Sequence, residues 1–125
     1  MLGYGFIANS EQAISEGFKL IHVADLQKSL TAAPASVHIY DANNEETRAK
    51  DGIIPGAVKL TSSSQFDVNS TLPKDKSAQV VFYCANTHCM ASHTAAKRAI
   101  ASGYTNVSVM ADGIQGWKKA GLKTE

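Results

Sequence analysis

The sequence predicts an α/β fold: a parallel central sheet flanked by helices on both faces. Two observations carry that prediction. Short runs of β-branched and aromatic residues alternate along the chain with segments of helical spacing. Strands that alternate with helices are joined by crossovers, which make the sheet parallel and lay helices over both faces. A length of 125 residues is one domain's worth, and no repeat or Gly/Ser- or Pro-rich linker divides it. The whole of 1–125 is therefore expected to be one domain, with 1–17 as an N-terminal extension.

In chain order, Asn9 and Gln12 form a capping-box pattern for a short helix through Ser15, stopped by Gly17. Residues 18–21 read as a first strand. Val23, Leu26, Gln27 and Leu30 lie at helical spacing, predicting a helix over 22–30 that ends before Pro34. The run 37–40 is a buried strand, 43–50 a short exposed helix, Pro55-Gly56 a turn and 57–60 a short strand. Residues 62–66 are expected to be a loop with one helical turn, and 72–77 a polar connection.

Gln79-Val80-Val81-Phe82-Tyr83 is the strongest strand signal, and it runs straight into Cys84. An Ala-rich helix follows over 90–102, with Gly103 as a cap beyond its end. Ala91, Ala95 and Ala99 give it one face small enough to press onto a sheet. Residues 107–110 are a further strand, and 114–120 a closing helix before Gly121.

Composition excludes several function classes. A hydrophobic share of 44%, a charged share of 18% and three prolines argue against disorder. Twelve Lys+Arg against eleven Asp+Glu leave a net charge of +1, without the basic excess of a nucleic-acid or membrane-surface binder. No apolar run approaches the ~18 residues of a membrane span. Residues 1–10 hold no Lys or Arg, so no secretory n-region is visible. Two cysteines suit a reducing compartment, with one bridge left open. The expected location is cytoplasmic, with neither nucleic acid nor membrane as partner.

Cys84 stands where chemistry is expected. Ligands of open α/β sheets sit beyond the carboxyl ends of the strands. A helix N-terminus presents unpaired N–H groups and about half a positive charge, which lowers a thiol's pKa. Residues 85–96 contain no Asp or Glu to oppose an anion, and Lys97 and Arg98 lie toward the helix's other end. A buried, inert cysteine packing as a small hydrophobe occupies such a position equally well. Position alone leaves both open.

Specific segments go further. Val81-Phe82-Tyr83-Cys84 with its loop, Ala95-Ala96, Gly103-Tyr104-Thr105-Asn106-Val107 and Gly113-Ile114-Gln115-Gly116-Trp117 together resemble the single-domain rhodanese family. Upstream, Asp41-Ala42-Asn43 and Gly52-Ile53-Ile54-Pro55-Gly56-Ala57 look like two further signature segments of that family. The resemblance runs from about Phe18 to Leu122. It implies a sulfurtransferase that moves sulfane sulfur from a donor to a thiophilic acceptor through a persulfide on Cys84. Both the thiolate and the outer persulfide sulfur are anionic and need a ring of backbone N–H donors. On this basis Ala85, Asn86, Thr87, His88 and Cys89 line the cradle. Asp41 matches a position usually hydrogen-bonded near the active-site face. Gly113 and Trp117 match a structural Gly-x-x-x-Trp segment, with Trp117 expected in the core. The implied partners are a small sulfur donor, a thiol or cyanide-like acceptor, and a redox or sulfur-carrier protein. No cofactor and no metal is implied.

The chain departs from the family pattern where cations are usual. Many active members carry an Arg at the position of Cys89, or directly after the nucleophile, where this chain has Ala85. Those arginines hold an anionic donor such as thiosulfate by charge-assisted hydrogen bonds. Asn43 replaces the Arg of Asp-x-Arg, and Ile53 the His of Gly-His-Ile-Pro. Weak turnover of thiosulfate is expected. Arg48 either reaches the site instead or faces solvent from its helix. The related dual-specificity phosphatases and arsenate reductases carry a Cys-x5-Arg loop, and Met90 occupies that Arg position here.

Three alternatives accompany this reading. One is a catalytically idle rhodanese-like module used for binding or regulation, since fold does not fix function. Another is a zinc module built from Cys84, His88, Cys89 and His93, although zinc sites usually draw ligand pairs from separate segments. If no metal binds, His88 is a loop donor and His93 a partly exposed helix residue. His22 and His38 show no partner in sequence and are assigned to a helix start and a packed strand. The third concerns Cys89. A curled loop brings its Cα within the ~4.4–6.8 Å of Cys84 that a disulfide needs, making it a resolving thiol. Otherwise Cys89 packs into the helix–sheet interface.

Overall fold

Five short strands form one sheet in the computed structural model, which describes residues 17–125. The strands are β1 (Lys19–Ile21), β2 (Val37–Asp41), β3 (Val58–Lys59), β4 (Gln79–Tyr83) and β5 (Val107–Met110). Their order is β1-β5-β4-β2-β3, and every pairing is parallel. The helix expected over 9–15 lies outside the described residues.

The strongest strand signal in the sequence becomes the centre of the sheet. β4 pairs with β2 from Val37–Gln79 to Asp41–Tyr83, and with β5 from Val80–Val107 to Phe82–Val109. Val80, Val81, Phe82 and Tyr83 are all fully buried, as a strand covered on both faces requires. Alternation along β4 divides the core. Val80, Phe82 and, just beyond the strand, Cys84 join Phe66, Leu72, Ala95, Ala96 and Ala99 on one side. Val81 and Tyr83 join Val23, Leu26, Ile54, Ile114 and Trp117 on the other.

The helices are α1 (Val23–Ala32), α2 (Glu45–Asp51), α3 (Val68–Thr71), α4 (Ala91–Ala101) and α5 (Gly113–Lys119). His22 precedes α1 as expected, and it has a partner the sequence did not show: its Nδ1 lies 3.1 Å from Asp112 Oδ1. The same carboxylate accepts the Val23 N–H at 2.9 Å, so Asp112 ties the start of α1 to the start of α5. The small face of α4 forms as expected, with Ala95 and Ala99 fully buried and Ala91 half-buried. Two elements differ from expectation. A 3-10 turn occupies Pro34–Ser36, and α3 falls between the two segments read as loop. Four residues are too few to show a period; α3 is set by Asp67, whose side chain accepts the Asn69 N–H at 3.1 Å. None of the helices among the described residues is long and apolar enough to cross a membrane.

This topology makes one crevice special. The chain leaves β4 through α4 toward β5, and leaves β2 through α2 toward β3, in opposite directions across the sheet. Ligand sites of open α/β sheets lie where such a divergence occurs. The ladder continues past the strand ends there, with the Ala42 N–H donating to the Tyr83 carbonyl at 2.8 Å. Cys84 is the next residue.

Candidate active site

The loop after β4 is fixed at its base by α5. The Ile114 N–H donates to the Cys84 carbonyl at 2.8 Å, and the Gln115 N–H to the Ala85 carbonyl at 3.0 Å. Two first-turn donors of α5 thus find partners in the loop, and the loop backbone is held against the helix. Glycine is required at the contact. Gly113 has φ +71°, and a Cβ there would overlap the Ala85 carbonyl and lie 2.7 Å from the Asn86 nitrogen. Trp117, one turn on, is 6% exposed and donates its indole N–H to the Lys123 carbonyl at 2.8 Å. It is a core residue.

Asn86 shapes the rest of the loop. Its Oδ1 accepts the His88 N–H at 2.9 Å, its carbonyl accepts the Cys89 N–H at 3.2 Å, and its Nδ2 donates to Gln115 Oε1 at 3.3 Å. The N–H groups of His88 and Cys89, two of those assigned to the anion cradle, are therefore bonded within the loop in this state. Thr87 and His88 are exposed. Beside the loop lies an open hollow of about 570 Å³, lined among others by Asn86, Thr87, Asp112, Gln115 and Lys119.

The curl of the loop brings the two cysteines together. Cys84 and Cys89 form a disulfide with their Cα atoms 6.3 Å apart. Cys84 is 2% exposed, whereas Cys89 is half-buried against the cluster beneath α4. Of the alternatives left open for Cys89, bridging and packing occur together. With the sulfurs bonded to each other, no three His, Cys, Asp or Glu side chains converge as metal ligands among the described residues. His93 instead sets its ring edge-on to Phe18, with centroids 5.4 Å apart, and is half-buried. His38 is half-buried on β2.

A third side chain reaches the buried sulfur. Ser92 Oγ, in the first turn of α4, lies 3.3 Å from Cys84 Sγ, and Ser92 is itself 2% exposed. A disulfide sulfur carries no proton, so the hydroxyl donates. Sequence reasoning missed Ser92. The stretch 85–96 lacks acidic groups that would oppose an anion, and its hydroxyls are the signal that points to Ser92.

Asp41 and Arg48 form a separate, buried cluster. Asp41 is fully buried; its Oδ2 accepts the Tyr83 hydroxyl at 2.7 Å, and its Oδ1 accepts the Asn43 N–H at 2.7 Å and Arg48 Nε at 3.3 Å. Tyr83 Oη in turn accepts the Ile54 N–H at 3.0 Å. Burial pushes the Tyr83 phenol far above its ordinary pKa, so it remains a donor to Asp41. Arg48 corrects both readings made from sequence. Its side chain is only 8% exposed, and it donates to the carbonyls of Asp41 at 3.0 Å and Leu60 at 2.9 Å and to Glu45 at 2.6 Å. The inner face of α2 lies over the ends of β2 and β3, where carbonyls and a buried carboxylate demand a cation. Arg48 therefore does not face solvent, and its hydrogen bonds go to Asp41, Glu45 and Leu60 and not to the Cys84 loop. Asn43, where the family pattern has Arg, is 8% exposed, and its Nδ2 has no hydrogen-bond partner among the described residues.

Comparison with known proteins agrees with this architecture. The model of the rhodanese-like domain family matches residues 22–120. A Rhodopseudomonas palustris protein of unknown function, described as a possible tyrosine phosphatase, is 24% identical over 100% of this chain and 97% of its own, with a TM-score of 0.71. The 30 kDa polysulfide-sulfur transferase homodimer of Wolinella succinogenes is 18% identical over 96% of this chain and 86% of its own, with a TM-score of 0.69. The human single-domain sulfurtransferase is 22% identical over 82% of this chain and 97% of its own, with a TM-score of 0.64. At these identities the likeness is one of fold.

Proposed function

The chain belongs to the rhodanese-like domain family, and on that basis we propose that it is a sulfurtransferase carrying sulfane sulfur as a persulfide on Cys84. The observation that carries the reading is the placement of Cys84. It follows the central strand, at the crevice where the chain diverges, with a buried hydroxyl donor 3.3 Å from its sulfur.

The chemistry begins from the reduced form. Ser92 O–H and the N-terminal end of α4 both favour a thiolate over a thiol at Cys84. The thiolate attacks the outer sulfur of a donor R–S–S⁻; the Cys84 Sγ–S bond forms, and the donor's S–S bond breaks to release R–S⁻. An acceptor thiolate or cyanide then attacks the outer sulfur of the persulfide and returns Cys84 to a thiolate.

Charge decides among donors. Residues 85–89 hold no Lys or Arg, and every guanidinium nitrogen of Arg48 is engaged, by Asp41, Leu60 or Glu45. A monoanionic alkyl persulfide is favoured over dianionic thiosulfate. The same deficit argues against phosphoryl chemistry: a phosphate dianion needs a fork of donors, and Met90 stands at the Cys-x5-Arg position.

The test is sulfur transfer to cyanide by the reduced protein, read as thiocyanate. Persulfide donors are expected to support turnover, thiosulfate to support little, and Cys84→Ser to abolish both. Activity that survives Cys84→Ser would remove the reading.

A further inference from the structure

We propose that the chain also reduces sulfane sulfur to sulfide: Cys89 resolves the Cys84 persulfide, closes the Cys84–Cys89 bridge and expels hydrosulfide. The inference rests on the persulfide chemistry proposed above and adds a second activity to it.

The loop is built for that step. Three hydrogen bonds of Asn86 curl residues 85–89, and the turn places the Cys84 and Cys89 Cα atoms 6.3 Å apart, within the ~4.4–6.8 Å that a disulfide spans. The bond recorded joins the two Sγ atoms. It is the product of attack on the inner sulfur of a persulfide, whereas attack on the outer sulfur would only move the persulfide to Cys89. Where an arginine would hold an anionic donor, this chain has a second thiol.

The step balances without an outside oxidant. The Cys89 thiol gives up its proton, which ends on the outer sulfur, and its thiolate attacks Cys84 Sγ; the Sγ–Sγ bond forms, the bond from Cys84 Sγ to the outer sulfur breaks, and that sulfur leaves with the electron pair as HS⁻. Two thiols are oxidised to a disulfide while one sulfane sulfur is reduced to sulfide. A dithiol, on a small molecule or a redox protein, must then restore the pair.

Exposure and Ser92 give that reduction a direction. Cys89 is half-buried and Cys84 is 2% exposed, so the incoming thiolate reaches Cys89. Cys84 is then the leaving group, and the Ser92 hydroxyl stabilises the departing thiolate. Reduction therefore regenerates the nucleophile for the next sulfur. In the bridged state Cys84 has no thiolate and accepts none.

The experiment uses the full chain, reduced with dithiothreitol and desalted anaerobically, with glutathione persulfide as the donor. Released sulfide and intact mass are followed together. The wild-type protein is expected to release one sulfide per chain without reductant, stop, and end lighter by two hydrogens; added dithiothreitol should make the release continuous. Cys89→Ser, and Cys89→Ala as a second variant, should retain one extra sulfur on Cys84 and release no sulfide. Wild-type protein that keeps its persulfide as long as the Cys89 variants would overturn the inference and leave the sulfurtransferase reading standing. If neither protein gains sulfur and no sulfide appears, both fall.

Discussion

Ser92 Oγ and Cys84 Sγ lie 3.3 Å apart, each residue 2% exposed, which makes a buried hydroxyl the side-chain partner of the loop's buried sulfur. A hydrogen bond to a charged group contributes about 1.5–3 kcal/mol, or roughly one to two pKa units. In a Cys89→Ser background, Ser92→Ala should raise the Cys84 thiol pKa by about that amount. The pH profile of iodoacetamide alkylation measures it. Ser92→Thr, which keeps the hydroxyl, should stay near the parent; an unchanged profile in Ser92→Ala would remove Ser92 from the site.

Arg48 is expected to matter for stability and not for the thiol. Its partner Asp41 is fully buried, and stranding a buried charge costs about 3–5 kcal/mol. Arg48→Ala should lower the denaturant midpoint accordingly, while the alkylation rate of Cys84 in the folded protein stays the same. The reverse pattern, normal stability with a slowed thiol, would place Arg48 in the site after all.

Two buried tyrosines fix the alkaline limit of the fold. Burial holds the Tyr40 phenol up at about 12 and drives that of Tyr83 higher still. The unfolded chain loses these protons near pH ~10, so above that point the native state binds more protons and stability falls as pH rises. The contribution is fully present below about pH 10. Denaturant midpoints measured from neutral to strongly alkaline pH should decline from there. Tyr40→Phe, which still buries its ring, should make the decline shallower.

Gly113 separates a backbone preference from a close contact. Gly113 and Gly121 both have positive φ, +71° and +83°, but a Cβ overlaps the Ala85 carbonyl at the first and meets nothing within 4 Å at the second. Gly121→Ala should cost only about 1–2 kcal/mol of backbone strain. Gly113→Ala should cost more and also slow sulfur loading on Cys84, because the displaced segment carries the cysteine. Equal effects of the two changes on loading would show that the α5 contact does not position the loop.

The legible and illegible parts of this molecule differ in physical kind. The run at 79–83 carries the strongest strand signal in the chain, and Cys84 is visible because it ends that run. The small face of Ala95 and Ala99 likewise announced a helix pressed onto the sheet. What stayed hidden depends on contacts between segments far apart in sequence. Arg48 reads as an exposed residue of a polar helix until the Asp41 carboxylate and the Leu60 carbonyl are brought beneath it. The pairing of His22 with Asp112 spans two helix starts, and Ser92 became a partner of Cys84 only once the loop between them had curled. The four residues of α3 carry too little pattern to be seen at all.

The persulfide on Cys84 is the claim on which the rest depends, and peptide mapping reads it most directly. Reduced Cys89→Ser protein is incubated with glutathione persulfide, alkylated and digested, and the Cys84 peptide is sequenced by tandem mass spectrometry. The expected result is one additional sulfur on Cys84, absent from the same peptide of a Cys84→Ser, Cys89→Ser control. A Cys84 peptide alkylated directly on its thiol, with no added sulfur at any donor concentration, would contradict the account.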